Sequence, residues 1–253
     1  MDWTQRRVNS EKLSTCERCG LNTQLRKSHA IPDAFFRDLK RSGKGKVTKI
    51  HQDFGPRPSS ESGWSYILCA QCEMHFNASC DEAAILFVKH TVSKSQLQAI
   101  DHSTLALFIC SVLWRAQLSS ASMYGGYKIT KADVDQISSA ALGRCDPFMS
   151  FSFEVAQLHD EDGNISINQI RKTIAAPYRT EVKIGSNLHT IHYFVAGGVF
   201  FSALSPKVPS IVLDHRYLVQ GARDVPRVKR SLSSLSNFRK IEAIARREAG
   251  SSS

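Results

Sequence analysis

The segment LCAQC, residues 68–72, decides how this chain is interpreted, because it repeats the spacing of an earlier segment, CERCG, residues 16–20. In each segment two residues separate two cysteines, so one tight turn can present both thiolates to a single ion. Gly20 permits the close turn that the first pair needs. The sequence therefore predicts a structural Zn²⁺ site with four thiolate ligands: Cys16, Cys19, Cys69 and Cys72.

The cellular compartment supports a metal site over disulfides. The N-terminal residues 1–12 lack the apolar region of a secretory signal. The most apolar run, residues 105–114, is far shorter than the roughly 20 residues that span a bilayer. We therefore expect a cytoplasmic protein with no membrane partner, in which paired cysteines hold metal more often than they form disulfides.

Chance pairing and redox chemistry account less well for the two cysteine pairs. Buried cysteines could fall at this spacing by chance, but the same spacing occurs twice. A redox pair is disfavoured because neither CxxC lies in a strand–helix context with the aromatic and proline flanks of a redox motif. The three isolated cysteines are assigned no role: Cys80, Cys110 and Cys145.

The stretch between the two cysteine pairs is longer than the roughly 15–20 residues common in zinc sites, so further elements are inserted there. We expect a strand that ends in His29, a basic loop over residues 37–49 and a short strand over residues 64–68. Phe54, Pro56 and Pro58 favour a turn over a strand. A helix should follow the second cysteine pair.

This order resembles the HNH endonuclease family. Its zinc-bearing members place a cysteine pair, a histidine followed by an Ile-Pro-like pair, a second cysteine pair and a helix in the same order. The segments SHAIP, residues 28–32, and LCAQC match that plan, and the resemblance covers about residues 14–90. It implies a treble-clef zinc finger with a ββα-metal site that hydrolyses phosphodiester bonds of nucleic acid, DNA favoured. It also implies a role in defence against foreign DNA or in mobile-element biology.

The resemblance assigns His29 as the general base, and neutral imidazole, with a pKa near roughly 6.5, suits that task. The family places a metal-binding side chain before this histidine, where this chain has Ser28, and His or Asn after the last cysteine, where it has Glu73. We expect Glu73 to be the main ligand of a catalytic Mg²⁺ or Mn²⁺, helped by Asn77 on the same helical face or by His75. Alternatively, His29 is a structural histidine, or a zinc ligand in place of a thiolate.

The charge balance points to an anionic partner. Lysine and arginine number 33 against 23 acidic residues, which gives a formal net charge of +10 and a pI near 9.4. Nucleic acid and an acidic membrane surface both fit, as does a basic protein with no such partner. The predicted loop could contact phosphates or be a solvated surface. Its candidate nucleic-acid-binding residues are Arg37, Lys40, Arg41, Lys44, Lys46 and Lys49.

The chain is expected to divide into a zinc module at residues 1–95, a second α+β domain at 96–230 and a basic tail at 231–253. The second domain should have helices first and antiparallel strands after them. The expected helices and strands are helices over 95–120 and 130–145 and strands over 148–158, 165–170, 187–204 and 210–213.

Three further features of the second half bear on metal and nucleic-acid binding. Residues 159–164 favour a hairpin turn over a calcium loop. His189 and His192 would lie on opposite faces of a strand and are rejected as a metal site. The tail is either solvated or a nucleic-acid-binding arm.

The sequence thus predicts a zinc-stabilised, metal-dependent endonuclease whose second domain selects the target, binds a protein partner or forms a homo-oligomer. The main alternative is a non-catalytic zinc-finger module that binds nucleic acid or protein. An enzyme with a small-molecule substrate in the strand-rich half has no motif in its favour.

Overall fold

The computed structural model of the chain describes residues 13–42, 47–51, 55–59, 62–94, 99–163, 165–209, 216–226 and 228–234. Within these ranges helices and strands are mixed, which confirms the predicted α+β class. The strands are β1 (Leu13–Thr15), β2 (Asn22–His29), β3 (Val47–His51), β4 (Gly55–Ser59), β5 (Trp64–Cys69), β6 (Ser152–His159), β7 (Ile174–Ile184), β8 (Asn187–Ala196), β9 (Val199–Ser205) and β10 (Val228–Ser231). The α-helices are α1 (Asp33–Ser42), α2 (Ala70–Phe76), α3 (Glu82–Lys94), α4 (His102–Leu118), α5 (Lys131–Ala141), α6 (Pro147–Ser150) and α7 (Ile167–Ile170).

The described strands form three sheets. One is antiparallel, with the order β1-β2-β5, and belongs to the cysteine-bearing part of the chain. A second consists of β3 paired with β4. The third has the order β10-β6-β9-β8-β7, and its β10–β6 pair is parallel while the other pairs are antiparallel. The predicted strand that ends at His29 and the predicted strand beginning at Trp64 are both confirmed.

The helix predicted after the second cysteine pair is also confirmed. It runs as α2, then one π-helical turn at Asn77–Asp81, then α3. A π-helical turn accommodates an extra residue and changes which side chains face the core after it. Cys80 and Asp81 lie in this turn and are both buried.

The two predicted helices of the second half are present with defined starts. Asp101 is the N-cap residue of helix α4, and its side chain accepts a hydrogen bond from the backbone N–H of Ser103 at 2.7 Å. Thr130 is the N-cap residue of helix α5, and its hydroxyl accepts a hydrogen bond from the backbone N–H of Asp133 at 3.2 Å. These side chains satisfy backbone donors that have no partner inside the helix, and so they fix where each helix starts.

The prediction of a basic loop over residues 37–49 was wrong at both ends, because helix α1 continues to Ser42 and strand β3 begins at Val47. In α1 the side chains Phe35 and Phe36 are buried, so an apolar face holds the helix against the core. Asp33 in the first turn and basic residues in the last turn suit the helix dipole. Lys44 and Lys46 lie outside the described residues.

The strand predictions differ from the structure in several places. The predicted strand over residues 187–204 is a hairpin of two strands, β8 and β9. Residues 55–59 form β4 despite Pro56 and Pro58, which a two-stranded sheet tolerates because both strands are edges. Part of the predicted strand 165–170 is helix α7 instead, where Ser166 and Gln169 form a reciprocal capping box. Strand β7 was not predicted. The predicted strand at 210–213 and tail residues 235–253 lie outside the described residues.

One cluster of buried side chains extends from Cys16 to Val225 and includes residues from both sides of the expected domain boundary near residue 95. The β8–β9 hairpin contributes to this contact. A Cβ atom at Gly197 would lie 2.7 Å from Val88 Cγ1 in helix α3, so this glycine allows the hairpin to approach the cysteine-bearing part. The division into domains stays a prediction, but the core is shared.

A buried polar cluster lies between α5 and the large sheet. The His192 ring is fully buried, with Nδ1 3.1 Å from the Tyr127 hydroxyl and Nε2 3.7 Å from an Asp133 carboxylate oxygen. Burial lowers the pKa of His192 to about 4, with Arg179 acting in the same direction and Asp133 against it. In the unfolded chain the pKa returns to about 6.5.

This difference predicts a pH-dependent stability. Between about pH 6.5 and 4 the unfolded chain binds the His192 proton and the folded chain does not, so stability falls as pH falls. As the pH falls from about 7 to about 5, we expect His192 to lower the unfolding free energy of the wild type by about 2 kcal/mol. Urea unfolding at the two pH values should show a smaller drop in His192→Gln than in wild type, whereas the control His90→Gln should match wild type. Parallel pH curves for wild type and His192→Gln would contradict the expectation.

A candidate zinc centre beside His29

The two cysteine pairs come together in space. The four Sγ atoms of Cys16, Cys19, Cys69 and Cys72 all lie within 4.8 Å of one another, and those of Cys19 and Cys69 are 4.0 Å apart. A tetrahedral zinc ion with Zn–S bonds near 2.3 Å requires sulfur–sulfur distances of about 3.8 Å. The donor set and its spacing therefore fit a structural metal ion such as Zn²⁺.

Local backbone geometry builds this site. Gly20 has a φ of 74°, in the left-handed region that the first turn was expected to need, and its N–H donates to the carbonyl of Cys16 at 2.8 Å. The N–H of Glu17 donates to Ile67 O at 3.1 Å, which ties the first turn to β5. The N–H of Cys69 points at Cys16 Sγ, 3.4 Å away. The turn is therefore fixed to the strand that carries the other two ligands.

The environment favours a thiolate on one of these cysteines. Burial alone raises the pKa of Cys16, but backbone N–H donors from Cys19, Cys69 and Arg18 bring it down to about 7. Burial raises the pKa of Cys72 to about 12, although the Arg18 guanidinium, 3.8 Å from its sulfur, opposes this. A bound divalent cation would stabilise all four thiolates, so metal affinity should fall in acid.

His29 is the last residue of β2, and its ring is oriented by two oxygen groups. Nε2 lies 3.0 Å from the Ser62 hydroxyl and 3.5 Å from Asp33 Oδ1. Burial of the ring lowers the pKa of His29, and nearby cations add to this effect, while the Asp33 carboxylate opposes it. The lowered pKa favours the neutral imidazole at neutral pH. Asp33 and Ser62 were not identified from the sequence, although Asp33 follows His29 by four residues at a helix start.

The Glu73 side chain lies near Ser28, on the side of strand β2 opposite to His29. Ser28 is fully buried, and its hydroxyl accepts from the backbone N–H of Leu68 at 3.1 Å. Burial raises the pKa of Glu73, while the Ser28 hydroxyl and Arg115 lower it. Glu73 Oε1 is buried and has no hydrogen-bond partner among the described residues. A buried carboxylate oxygen without a partner is costly, and a cation is one way to satisfy it.

The other proposed metal ligands are more open. Asn77 and His75 are both exposed, and the His75 ring packs edge-on against Phe76. Alternation along β2 places Ser28 and His29 on opposite faces of the sheet. The structure therefore brings Glu73 to Ser28, and brings His29 to Asp33 and Ser62.

The candidate phosphate-binding residues are divided between helix and strand. Arg37 is exposed on α1 and pairs with Asp33 at 3.7 Å. Lys40 lies in the last turn of α1, close enough to lower the pKa of His29. Arg41 is exposed beside it, and Lys49 belongs to β3. A basic edge of α1 therefore lies next to His29.

A buried ion pair connects this region to helix α4 and was not predicted. Arg115 donates to both oxygens of Asp81, at 2.9 Å and 2.7 Å, and to the carbonyl and hydroxyl of Ser111. Its guanidinium also lies 5.4 Å from the Phe76 ring centroid. Sequence alone offers no signal for this pair, because Asp81 and Arg115 meet only through tertiary packing.

Comparison of the chain with protein-family models, curated proteins and solved structures found no match. Among the described residues, no helix combines the length and apolar character required to cross a bilayer. The function is therefore inferred from the residues and their geometry.

Proposed function

We propose that the zinc-bearing part is a metal-dependent endonuclease of the HNH type, with a treble-clef zinc site that supports a ββα-metal active site. The observation that carries this proposal is the position of His29. It ends the strand that leaves the first cysteine turn, its ring is fixed by Asp33 and Ser62, and basic side chains of α1 lie beside it. DNA is the favoured substrate, and defence against foreign DNA the favoured role. The rest of the chain would select the target or bind a partner.

His29 would act as the general base. With Nε2–H donating toward Asp33 and Ser62, the lone pair of Nδ1 accepts a proton from the attacking water. The Asp33 carboxylate stabilises the imidazolium that forms, as an orienting carboxylate does in other base-catalysed hydrolases. The lowered pKa of His29 keeps the base unprotonated before the reaction.

Glu73 would hold a hard divalent cation through its carboxylate, whose Oε1 lacks a partner among the described residues. When bound, Mg²⁺ or Mn²⁺ would stabilise the charge that develops on the phosphate and leaving oxygen. Because Ser28 and His29 lie on opposite faces of the sheet, the phosphate would have to lie at the end of β2, where His29 is the last residue, to reach both the cation and the base. Ser28 contributes a hydroxyl beside Glu73, and exposed Asn77 and His75 are available at the surface of the same helical segment.

The test is cleavage of plasmid DNA and of single-stranded oligonucleotides with Mg²⁺ or Mn²⁺. His29→Ala should reduce the cleavage rate by about 10²-fold or more, because a general base contributes that much. It should keep its zinc and its affinity for nucleic acid. Glu73→Gln should also lose activity, with partial recovery at higher Mn²⁺ concentration. The control His90→Ala should cleave like wild type.

Two results would argue against this assignment. If wild type and His29→Ala are equally inactive on every nucleic acid and metal ion tried, the site does not catalyse hydrolysis. If His29→Ala releases the zinc, the histidine is a structural ligand.

A non-catalytic zinc-finger module that binds nucleic acid or protein is the second candidate. It is favoured by Ser28, whose hydroxyl already accepts from the Leu68 N–H and offers no carboxylate or imidazole to a metal ion. Nucleic-acid binding without cleavage by the wild type would support this alternative.

A further inference from the structure

One face of the three-stranded sheet carries aromatic and basic side chains. Tyr66 is 59% exposed and Trp64 is 38% exposed, both on β5. Lys27 lies directly opposite Tyr66 on β2, and His29 lies directly opposite Trp64. Opposite residues of an antiparallel pair share a face, so these four side chains lie on one side of the sheet. The alternate residues Ser28 and Ser65 are buried on the other side.

The rings on this face are already arranged with a cation. Trp64 and Tyr66 contact each other edge to face, with centroids 5.4 Å apart and an interplanar angle of 76°. The Lys27 ammonium lies 4.4 Å from the Trp64 ring centroid. Single exposed apolar residues need no explanation, but two adjacent exposed rings beside a cation make a patch suited to a ligand with both flat and anionic parts.

We infer that this face is a stacking platform for unpaired bases, so that the substrate is single-stranded or locally unpaired nucleic acid. This inference rests on the proposed function and specifies its substrate class. The open face of Tyr66 would stack on a base, and Lys27 would contact a neighbouring phosphate. A base inside a duplex is already stacked on both sides and cannot use this ring.

The position of the platform relative to His29 supports the inference. Along a strand, side chains two residues apart on one face are separated by about 7 Å. Trp64 is the first residue of β5, two residues before Tyr66, and His29 is its register partner on β2. A strand whose base stacks on Tyr66 would therefore pass its backbone close to His29. The net charge of +10 favours a polyanion over a neutral protein surface as the occupant.

The experiment measures the affinity of the intact chain, loaded with zinc, for a labelled oligothymidylate and for a labelled hairpin duplex. Mg²⁺ and Mn²⁺ are left out. Tyr66→Ala should weaken binding of the oligothymidylate by about 10-fold or more, because the loss of one stacked base has an effect of that order. Its affinity for duplex should change little. Tyr66→Phe keeps the ring and should bind like wild type. Leu188→Ala, an equally exposed apolar residue on β8, is the control. Zinc content and circular dichroism verify that each variant is folded.

The outcomes separate this inference from the proposed nuclease function. Equal loss in Tyr66→Phe and Tyr66→Ala, or a wild type that binds duplex better than oligothymidylate, would overturn the platform and leave the proposed function intact. Ring-dependent binding of oligothymidylate by a protein that never cleaves would support the platform and overturn the nuclease assignment. Failure to bind either nucleic acid would overturn both, and would leave the face as a protein-docking surface.

Discussion

Cys69→Ser should release the bound zinc and unfold the part of the chain around the two cysteine turns. Cys69 is buried and lies 4.0 Å from Cys19 within the cluster of four thiols. A structural zinc ion contributes on the order of 10 kcal/mol of apparent binding free energy, which is comparable to the roughly 5–15 kcal/mol that stabilises a whole domain. Losing one thiolate removes most of that contribution.

Elemental analysis and thermal unfolding followed by circular dichroism check this expectation. Wild type should hold one zinc ion per chain, and Cys69→Ser should hold little zinc and show reduced helicity with an early unfolding transition. Cys145→Ser is the matched control, because Cys145 lies outside the cluster of thiols. A wild type free of zinc, or a Cys69→Ser protein with unchanged helicity and melting temperature, would refute the zinc site.

The second large effect is expected from the buried pair of Arg115 and Asp81. Arg115 is 1% exposed and Asp81 is also buried, so Arg115→Met leaves a carboxylate in the interior without its partner. Such a change costs about 3–5 kcal/mol, because the remaining charge can no longer be compensated. The double variant Arg115→Met with Asp81→Leu should recover much of the loss, because it buries neither charge.

Chemical denaturation of the zinc-loaded protein measures these free energies. Glu181→Gln is the comparison, because it breaks the more exposed pair with Arg179, at 2.9 Å, and should cost less than about 1 kcal/mol. If Arg115→Met is no more harmful than Glu181→Gln, the pair is not buried in solution as it is in the structure.

The parts of this fold that the sequence predicted are those decided by local chemistry. The two CxxC segments predict their own turns, because the spacing of the thiolates and the glycine after the first pair leave few conformations. Helix α4 follows from the length and apolar density of its segment, and helix α5 from amphipathic periodicity with Thr130 at its start. The prediction of a shared zinc site also required the two cysteine pairs to meet, as they do in the structure.

The wrong predictions occurred where two local signals conflicted. In residues 37–42 the density of charge suggested a loop, but Phe35 and Phe36 supplied an apolar face for helix α1. In residues 165–170 the alternation of apolar and polar residues suggested a strand, but Ser166 and Gln169 carry a capping box that stabilises a helix start. In both cases the helical signal was present in the sequence and was the stronger of the two.

The remaining features depend on tertiary packing. No spacing rule connects Arg115 to Asp81, and none places Ser62 against His29, because these partners come from distant segments. The sequence therefore identified His29 and Glu73 as candidate site residues. The groups that orient them could be found only from the structure.

The shared core has a consequence for whether the cysteine-bearing part could fold or be inherited alone. Phe35 and Val88 pack near the β8–β9 hairpin, and Gly197 lets that hairpin approach within contact distance. A fragment cut near residue 95 would therefore expose a broad apolar surface to water and lose part of its interior. We expect that the cysteine-bearing part does not fold alone and that it unfolds together with the strand-rich half, so that a destabilising substitution in either half lowers the stability of both.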